Sequence, residues 1–166
     1  MRKSIWMAGL AALVSIGVLH AQTAAGKVDV QWKCAAPSPV HAVPVGDVAD
    51  HAYIVQQVKC TAAKGELAGV KEKDGTGTEF VEATGNNGKG HGIFVATLAN
   101  GDKVNYTYTF TGVSSNSKLQ TGTNKWAATS GSGKFKGITA SGTCTAKGAA
   151  DGGAVFDCVG TYTIPK

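Results

Sequence analysis

Charged residues, aromatic residues and prolines are all scarce in this chain. Of the 166 residues, 16% are charged, 7% are aromatic and four are prolines, whereas glycine occurs 23 times. This composition favours short strands joined by tight turns over helices. The sequence therefore predicts an all-β protein, and its length is sufficient for one domain with its own core.

Long apolar runs are absent except at the start of the chain. Arg2 and Lys3 precede an apolar stretch from Ile5 to Leu19, and the small residue Ala21 ends it. This layout is typical of a secretory signal peptide, and the stretch is shorter than the roughly 20 residues that span a bilayer. We predict a signal peptide at residues 1–21, a single domain at 22–166, no membrane span, and a periplasmic or secreted protein.

Sequence signatures of a reactive centre are also missing. There is no Cys-x-x-Cys pair, no nucleophile elbow and no phosphate loop, so we predict no catalytic residues, no cofactor and no metal. Glu79 and Glu82 lie three positions apart in a predicted strand and therefore point to opposite faces, which argues against a paired-carboxylate site. Lysines are scattered rather than clustered with aromatic residues, so nucleic-acid binding is not expected.

One polar cluster leaves a metal site open as an alternative. His41, Asp47, Asp50 and His51 lie in the loop at 35–51, which also contains three of the four prolines. Two imidazoles and a carboxylate are suitable metal ligands, although their spacing matches no established pattern. Aspartates that cap turns are the simpler interpretation.

The four cysteines predict disulfide bonds in an exported protein. If residues 140–147 and 154–164 form a hairpin that turns at Asp151, Cys144 faces Cys158. Directly opposed residues lie about 4.5 to 5.5 Å apart at Cα, a distance that a disulfide tolerates. We therefore predict the pairs Cys144–Cys158 and Cys34–Cys60.

Short strands with alternating apolar residues account for most of the remaining chain. An Asp74-Gly75 pair predicts a turn between two strands, and the glycine-rich segment 84–92 predicts a wide loop. The predicted strands number about eight, and closing such a sheet removes its exposed edges. The predicted fold is a single closed antiparallel barrel of about eight strands with two disulfides.

The hairpin around Asn100-Gly101 supplies the candidate ligand-binding residues. This dipeptide favours a two-residue type I′ turn, which would pair Val95 with Tyr106 and Ile93 with Tyr108. The same register collects apolar side chains on one face and leaves polar residues on the other. The resulting candidate ligand-binding set is His91, Tyr106, Tyr108 and Phe110.

The segment from Ser130 to Gly142, Ser-Gly-Ser-Gly-Lys-Phe-Lys-Gly-Ile-Thr-Ala-Ser-Gly, resembles the Gly-Thr-Gly-Lys-Phe-x-x-x-x-Gly signature of the allene oxide cyclase and dirigent-like barrels. The resemblance covers about 20 residues. It implies an antiparallel barrel with an apolar interior, sometimes used to hold a reactive lipid or phenolic intermediate, in which Phe135 closes one end. It provides no catalytic residue.

The best-supported hypothesis is an exported, non-enzymatic barrel that binds a small apolar or amphipathic ligand in its interior. Two alternatives are kept. One is an isomerase or cyclase of the allene oxide cyclase type, and the other is a structural, envelope-associated protein with a solid core. A large cavity with a buried carboxylate would favour the enzyme. The sequence leaves the oligomeric state open.

Overall fold

The structure, a computed structural model, describes Thr23–Pro165, so the predicted signal peptide at residues 1–21 lies outside the described residues. Its elements are almost all strands, which confirms the all-β prediction. They are β1 (Thr23–Cys34), β2 (Val40–Pro44), β3 (His51–Lys64), β4 (Glu66–Leu67), β5 (Val70–Thr84), β6 (Asn87–Leu98), β7 (Lys103–Ser115), β8 (Lys118–Gly131), β9 (Thr139–Gly148) and β10 (Ala154–Pro165), with one 3-10 turn at Gly133–Phe135.

Eight of these strands form a closed antiparallel barrel. Neighbouring strands follow the order β3-β1-β10-β9-β8-β7-β6-β5, and pairing of β3 with β5 closes the cylinder. The short strands β2 and β4 are additions to β3 and β5. The predicted closed barrel is therefore confirmed. Within residues 23–165, no helix has the length and apolar character needed to cross a membrane.

Several aromatic rings of the interior lie over glycines of neighbouring strands. A Cβ atom on Gly92 would lie 2.6 Å from the Tyr108 hydroxyl, and one on Gly90 would lie 2.8 Å from the Phe110 ring. Trp126 occupies the space beside Gly142 and Gly160 in the same way. Glycines in these strands give large rings the room to fold against the wall, which explains why a chain with so much glycine forms regular strands.

One end of the barrel, here called the closed end, is filled by apolar side chains around Phe135. Phe135 is 0% exposed, as is Leu67, and both belong to the core with Val104 and Ile138. The 3-10 turn that carries Phe135 packs on β7 and β8, and the backbone N–H of Lys134 donates to Asp102 Oδ2 at 3.0 Å. The predicted role of the Gly-Lys-Phe segment, closing the barrel with Phe135, agrees with this packing. The opposite end is called the distal end.

Both predicted disulfides are present. Cys144 on β9 lies opposite Cys158 on β10, and Cys34 on β1 lies opposite Cys60 on β3. Residues 34, 60, 144 and 158 share the inward parity of their strands, and all four side chains belong to the core or pack against it. The two bonds therefore join neighbouring strands from inside the cylinder.

The predicted register of the β6–β7 hairpin is wrong by one residue. The Leu98 N–H donates to the Asp102 carbonyl and the Gly101 N–H donates to the Leu98 carbonyl, so the loop has three residues rather than two. Gly101 takes a positive φ of 87°, as a type I turn followed by a bulge requires. Tyr106 consequently pairs with Phe94 instead of Val95. This register buries Leu98 and leaves Ile93 54% exposed on the outer face.

Two further expectations about β5 and β6 are also wrong. Asp74 and Gly75 lie inside the continuous strand β5, at a local register shift between Glu72 and Asp74, and they form no turn. The expected loop at 84–92 is mostly strand, since β6 begins at Asn87. These glycines form strands because aromatic rings of other strands pack over them, as described above. The local sequence does not reveal this packing.

Candidate functional site

Three of the four predicted ligand-binding residues point into the barrel. Tyr106, Tyr108 and Phe110 alternate along β7 with the exposed threonines Thr107 and Thr109. Tyr108 is 9% exposed, and its ring centre lies 6.1 Å from that of Phe110. These rings form an aromatic wall inside the cylinder. Their role in binding a ligand stays a prediction.

His91, the fourth predicted residue, lies on the outer face. In the observed register it pairs with Thr109, whose side chain also points outward. Its ring stacks on Phe80, with ring centres 5.5 Å apart, and Phe80 is itself 53% exposed. The placement of His91 inside the barrel is therefore wrong, and the physical reason is the three-residue turn that shifts β6 by one position.

A carboxylate that was not among the predicted ligand-binding residues lies on the inner face of the barrel. Glu79 on β5 pairs with Gln56 on β3, and the Gln56 side-chain amide donates to Glu79 Oε1 at 2.6 Å. The Tyr108 hydroxyl donates to Glu79 Oε2 at 2.8 Å. Burial, the nearby Glu79 charge and this hydrogen bond all raise the pKa of Tyr108 above its ordinary value. Tyr108 therefore remains a hydroxyl donor at neutral pH.

Glu79 and Glu82 do lie on opposite faces, as their spacing predicts. Glu79 meets Tyr108 inside, whereas Glu82 Oε2 lies 3.2 Å from Lys89 Nζ and its Oε1 lies 3.4 Å from His51 Nε2 on the outside. Both residues are glutamates of β5, and Glu79 points to the inside of the barrel whereas Glu82 points to the outside. This pair provides a matched comparison for experiments on the interior.

A second carboxylate lies deeper, towards the closed end. Glu72 on β5 pairs with Leu98, and its Oε2 atom is buried without a hydrogen-bond partner. Burial raises the pKa of Glu72 from 4.5 to about 7. Burial, together with the charge of Glu72, raises the pKa of the neighbouring Tyr106. A carboxyl group with a pKa near neutrality can accept or release a proton under physiological conditions.

Small residues lie on the inner face of five neighbouring strands at the distal end. One transverse row runs through Ala83, Gly88, Gly112, Gly122 and Ala146 on five successive strands. A Cβ atom on Gly88 would meet only Val81, at 3.5 Å. Four positions before Ala83 on β5, and on the same face, Glu79 is only partly buried, as is Gln56. On these five strands, no side chain of the row is larger than that of alanine.

The polar residues considered for a metal lie in β2, at the start of β3 and in the exposed loop between these strands. His51 Nδ1 lies 2.7 Å from Asp47 Oδ1, and this contact, with a hydrogen bond from the Val48 N–H, lowers the pKa of Asp47. His41 lies in β2, opposite Val55. Between Thr23 and Pro165, no three histidine, cysteine or acidic side chains converge as a metal site would require.

Two open grooves lie on the outer surface. One, of about 520 Å³, is lined by outward side chains such as Thr84, Lys89 and Thr123, and also by Gly88, Gly112 and Gly122 of the row described above. The other, of about 540 Å³, lies at the seam between β1 and β3 near Lys33 and Asp151. Neither is lined by Glu79 or by the aromatic wall, so these grooves are separate from the interior cluster.

Comparisons with known proteins bear on the fold. No family model matches the chain, and no curated protein matches it. The chain is similar to a solved structure, that of the pterocarpan synthase dirigent protein GePTS1, with a TM-score of 0.50, 9% sequence identity, and coverage of 96% of this chain and 98% of that one. The fold is a dirigent-like barrel. At this identity the likeness concerns shape alone.

Sequence reasoning missed Gln56, Glu72 and Glu79 as interior residues. A signal for Glu79 was present, because opposite faces for Glu79 and Glu82 require that one of them enter the barrel. The sequence does not decide which one, because the apolar neighbours Phe80 and Val81 have opposite parities, and only the structure shows that Val81 is buried. Glu72 had no such signal, since the register shift before Asp74 changes the parity of β5.

Proposed function

We propose that this protein binds a small amphipathic molecule inside the barrel without transforming it. The apolar part of the ligand packs against Tyr108 and Phe110, and its polar group hydrogen-bonds to Glu79. The observation that carries the proposal is the Glu79 carboxylate, which accepts one hydrogen bond on each oxygen from Gln56 and Tyr108 inside an aromatic interior.

The cost of placing a carboxylate there supports a binding role. Moving a charged group from water into an apolar interior is unfavourable unless it is paired and hydrogen-bonded. A barrel that served only as packed core would be more stable with an apolar residue, such as the Val81 found two positions further on. Each carboxylate oxygen can accept two hydrogen bonds, so Glu79 keeps acceptor capacity for a ligand.

The solved structure with a similar fold also supports the proposal. It is named as a pterocarpan synthase dirigent protein, and that name connects a barrel of this shape with a small organic molecule. A few convergent polar groups in an otherwise apolar pocket are also the usual composition of a small-molecule site. For this chain, the aromatic wall and the Glu79 cluster supply those two features.

Two measurements test the proposal. Native mass spectrometry of protein purified from its source should show a retained small molecule. Calorimetric titration with 2-naphthalenemethanol, a ring system carrying one hydroxyl group, should show binding that Glu79→Gln weakens about tenfold and the outward control Glu82→Gln leaves unchanged. Ligand-free protein together with no titration signal would contradict binding and support the solid-core alternative.

The isomerase or cyclase alternative is supported by one observation, the buried Glu72 carboxyl with a pKa of about 7 beside Tyr106. A group of this kind acts as general acid or base. If the protein converts the molecule it retains, chromatography after incubation should show a product of equal mass. Glu72→Gln should abolish that conversion and leave binding intact, whereas an unchanged molecule would favour the non-enzymatic role.

A further inference from the structure

Charge is distributed unequally between the two faces of the barrel wall. Every lysine between Thr23 and Pro165 is exposed to solvent. His91 lies on the outer face, and His51 contacts the outward Glu82. Glu72 and Glu79, by contrast, point inward. Among the described residues, the formal charges that face the interior are therefore carboxylates alone.

The aromatic rings strengthen this asymmetry. The face of an aromatic ring carries partial negative charge, and cations are attracted to it. Tyr106 and Trp126 pack edge to face, with ring centres 5.6 Å apart, and Tyr108 lies 6.1 Å from Phe110. Trp126 pairs with Tyr108 across β7 and β8. The Glu79 carboxylate contacts the Tyr108 hydroxyl and therefore shares the inner face with these ring systems, which would favour a positive charge there.

The interior would interact differently with anionic, neutral and cationic headgroups of a ligand. A carboxylate or phosphate headgroup would be repelled by Glu79, and no lysine of the described residues faces inward to compensate. A neutral hydroxyl group would gain one hydrogen bond to a Glu79 oxygen. An ammonium group would gain a charge-assisted hydrogen bond and a contact with the ring faces, and both interactions are stronger out of bulk water.

We infer that the ligand is an amphipathic organic cation, an amine or ammonium compound with an apolar ring or chain. This inference rests on the proposed function, because it names the ligand class of the same site. The ammonium group lies against Glu79, and the apolar part extends along Tyr108 and Phe110 towards the row of small residues at the distal end.

Three probes with one apolar skeleton test the inference. They are 2-naphthylmethylamine, which is a cation at neutral pH, 2-naphthalenemethanol, which is neutral, and 2-naphthoate, which is an anion. Isothermal titration at pH 7.5 and low salt should give an affinity for the amine at least about tenfold above that for the alcohol, and no binding of the anion to the interior. The whole chain has a formal net charge of +5 and every lysine of the described residues is exposed, so any anion signal must be compared between variants.

The two glutamates on either side of the wall provide the matched variants. Glu79→Gln should remove the preference for amine over alcohol, whereas Glu82→Gln should keep it. A wild-type protein that binds the alcohol as tightly as the amine, or that binds the anion most tightly, would overturn the inference and leave the proposed function standing. A wild-type protein that binds none of the probes and retains no molecule would overturn both.

Discussion

Cys34 lies directly opposite Cys60, and the disulfide between them links β1 to β3. The pairing of these two strands, here called the seam, is the shortest in the barrel. Four residue pairs join β1 to β3, whereas twelve join β1 to β10 on the other side. The barrel closes through this seam. The bond therefore compensates for a strand pairing that has few backbone contacts.

The first prediction concerns this seam. Replacing Cys34 and Cys60 together by alanine should lower the free energy of unfolding by about 3 to 4 kcal/mol, as expected for a loop with a sequence separation of 26. Hydrogen exchange should accelerate most at 31–34 and 60–64, because the remaining hydrogen bonds there are few.

The hairpin disulfide provides the control for the seam. Replacing Cys144 and Cys158 by alanine should cost about 3 kcal/mol, since their sequence separation is 14, but the pairing of β1 with β3 should keep its relative protection. Peptide mapping of the single variant Cys144→Ser should find Cys158 free and the other pair bonded. If the pairing of β1 with β3 keeps its protection from hydrogen exchange after loss of the Cys34–Cys60 disulfide, that disulfide does not stabilise the seam.

The second prediction compares two glycines of β6. A Cβ atom on Gly92 would lie 2.6 Å from the Tyr108 hydroxyl and 2.7 Å from the Thr78 backbone carbonyl, so Gly92→Ala should destabilise the fold by about 1 to 3 kcal/mol. Gly88→Ala, where the nearest atom is at 3.5 Å, should be neutral or slightly stabilising, because alanine restricts the unfolded chain. Chemical denaturation measures both. Equal effects at the two positions would contradict the ring-over-glycine packing.

The sequence predicted correctly those parts of the fold that are determined by residues close together in the chain. The β9–β10 hairpin closes on itself, so alternation and one turn were sufficient to pair Cys144 with Cys158 correctly. The register of β6 on β7 was not predictable from Asn100-Gly101 alone. It depends on burying Leu98 in the core, and the residues that bury it come from distant parts of the chain.

The interior acids were harder still to predict. Glu79 is held by Gln56 from 23 positions earlier and by Tyr108 from 29 positions later, and nothing in its local sequence indicates either partner. The glycines of β6 are a similar case. Their local sequence predicts a loop, and only the packing of the β7 rings over them explains why they form a strand. Aromatic residues of β7 were correctly predicted to face inward because strict alternation along one strand is a local property.

The third prediction concerns the pH dependence of stability. The folded-state pKa of Glu72 is raised from 4.5 to about 7, so the folded protein binds this proton more tightly than the unfolded chain does. Its contribution is fully present below about pH 4.5 and is lost as the pH rises through 7, a change of at most about 3 kcal/mol. Glu72→Gln cannot lose a proton and should lack this decline.

Urea denaturation at pH 4.5 and pH 8 measures the effect of Glu72. The wild type should lose stability relative to Glu72→Gln between these two values, and the difference between the two proteins isolates Glu72 from groups such as Asp47, which titrate in both. Parallel pH profiles for the two proteins would mean that Glu72 is not buried as the structure has it.

The fourth prediction tests whether ligands enter at the distal end. Gly88 lies in the row of small residues there, is free of positive φ strain, and has room for a Cβ atom. We expect Gly88→Leu to fold, with its side chain pointing inward on the distal side of Gly90 and Phe110. We expect the affinity for 2-naphthylmethylamine to fall at least about tenfold, equivalent to 1.4 kcal/mol, whereas Gly88→Ala binds as the wild type does. If Gly88→Leu keeps both its fold and its affinity, the bound probe lies outside the barrel, because a leucine at this row occupies the space through which an interior ligand would pass.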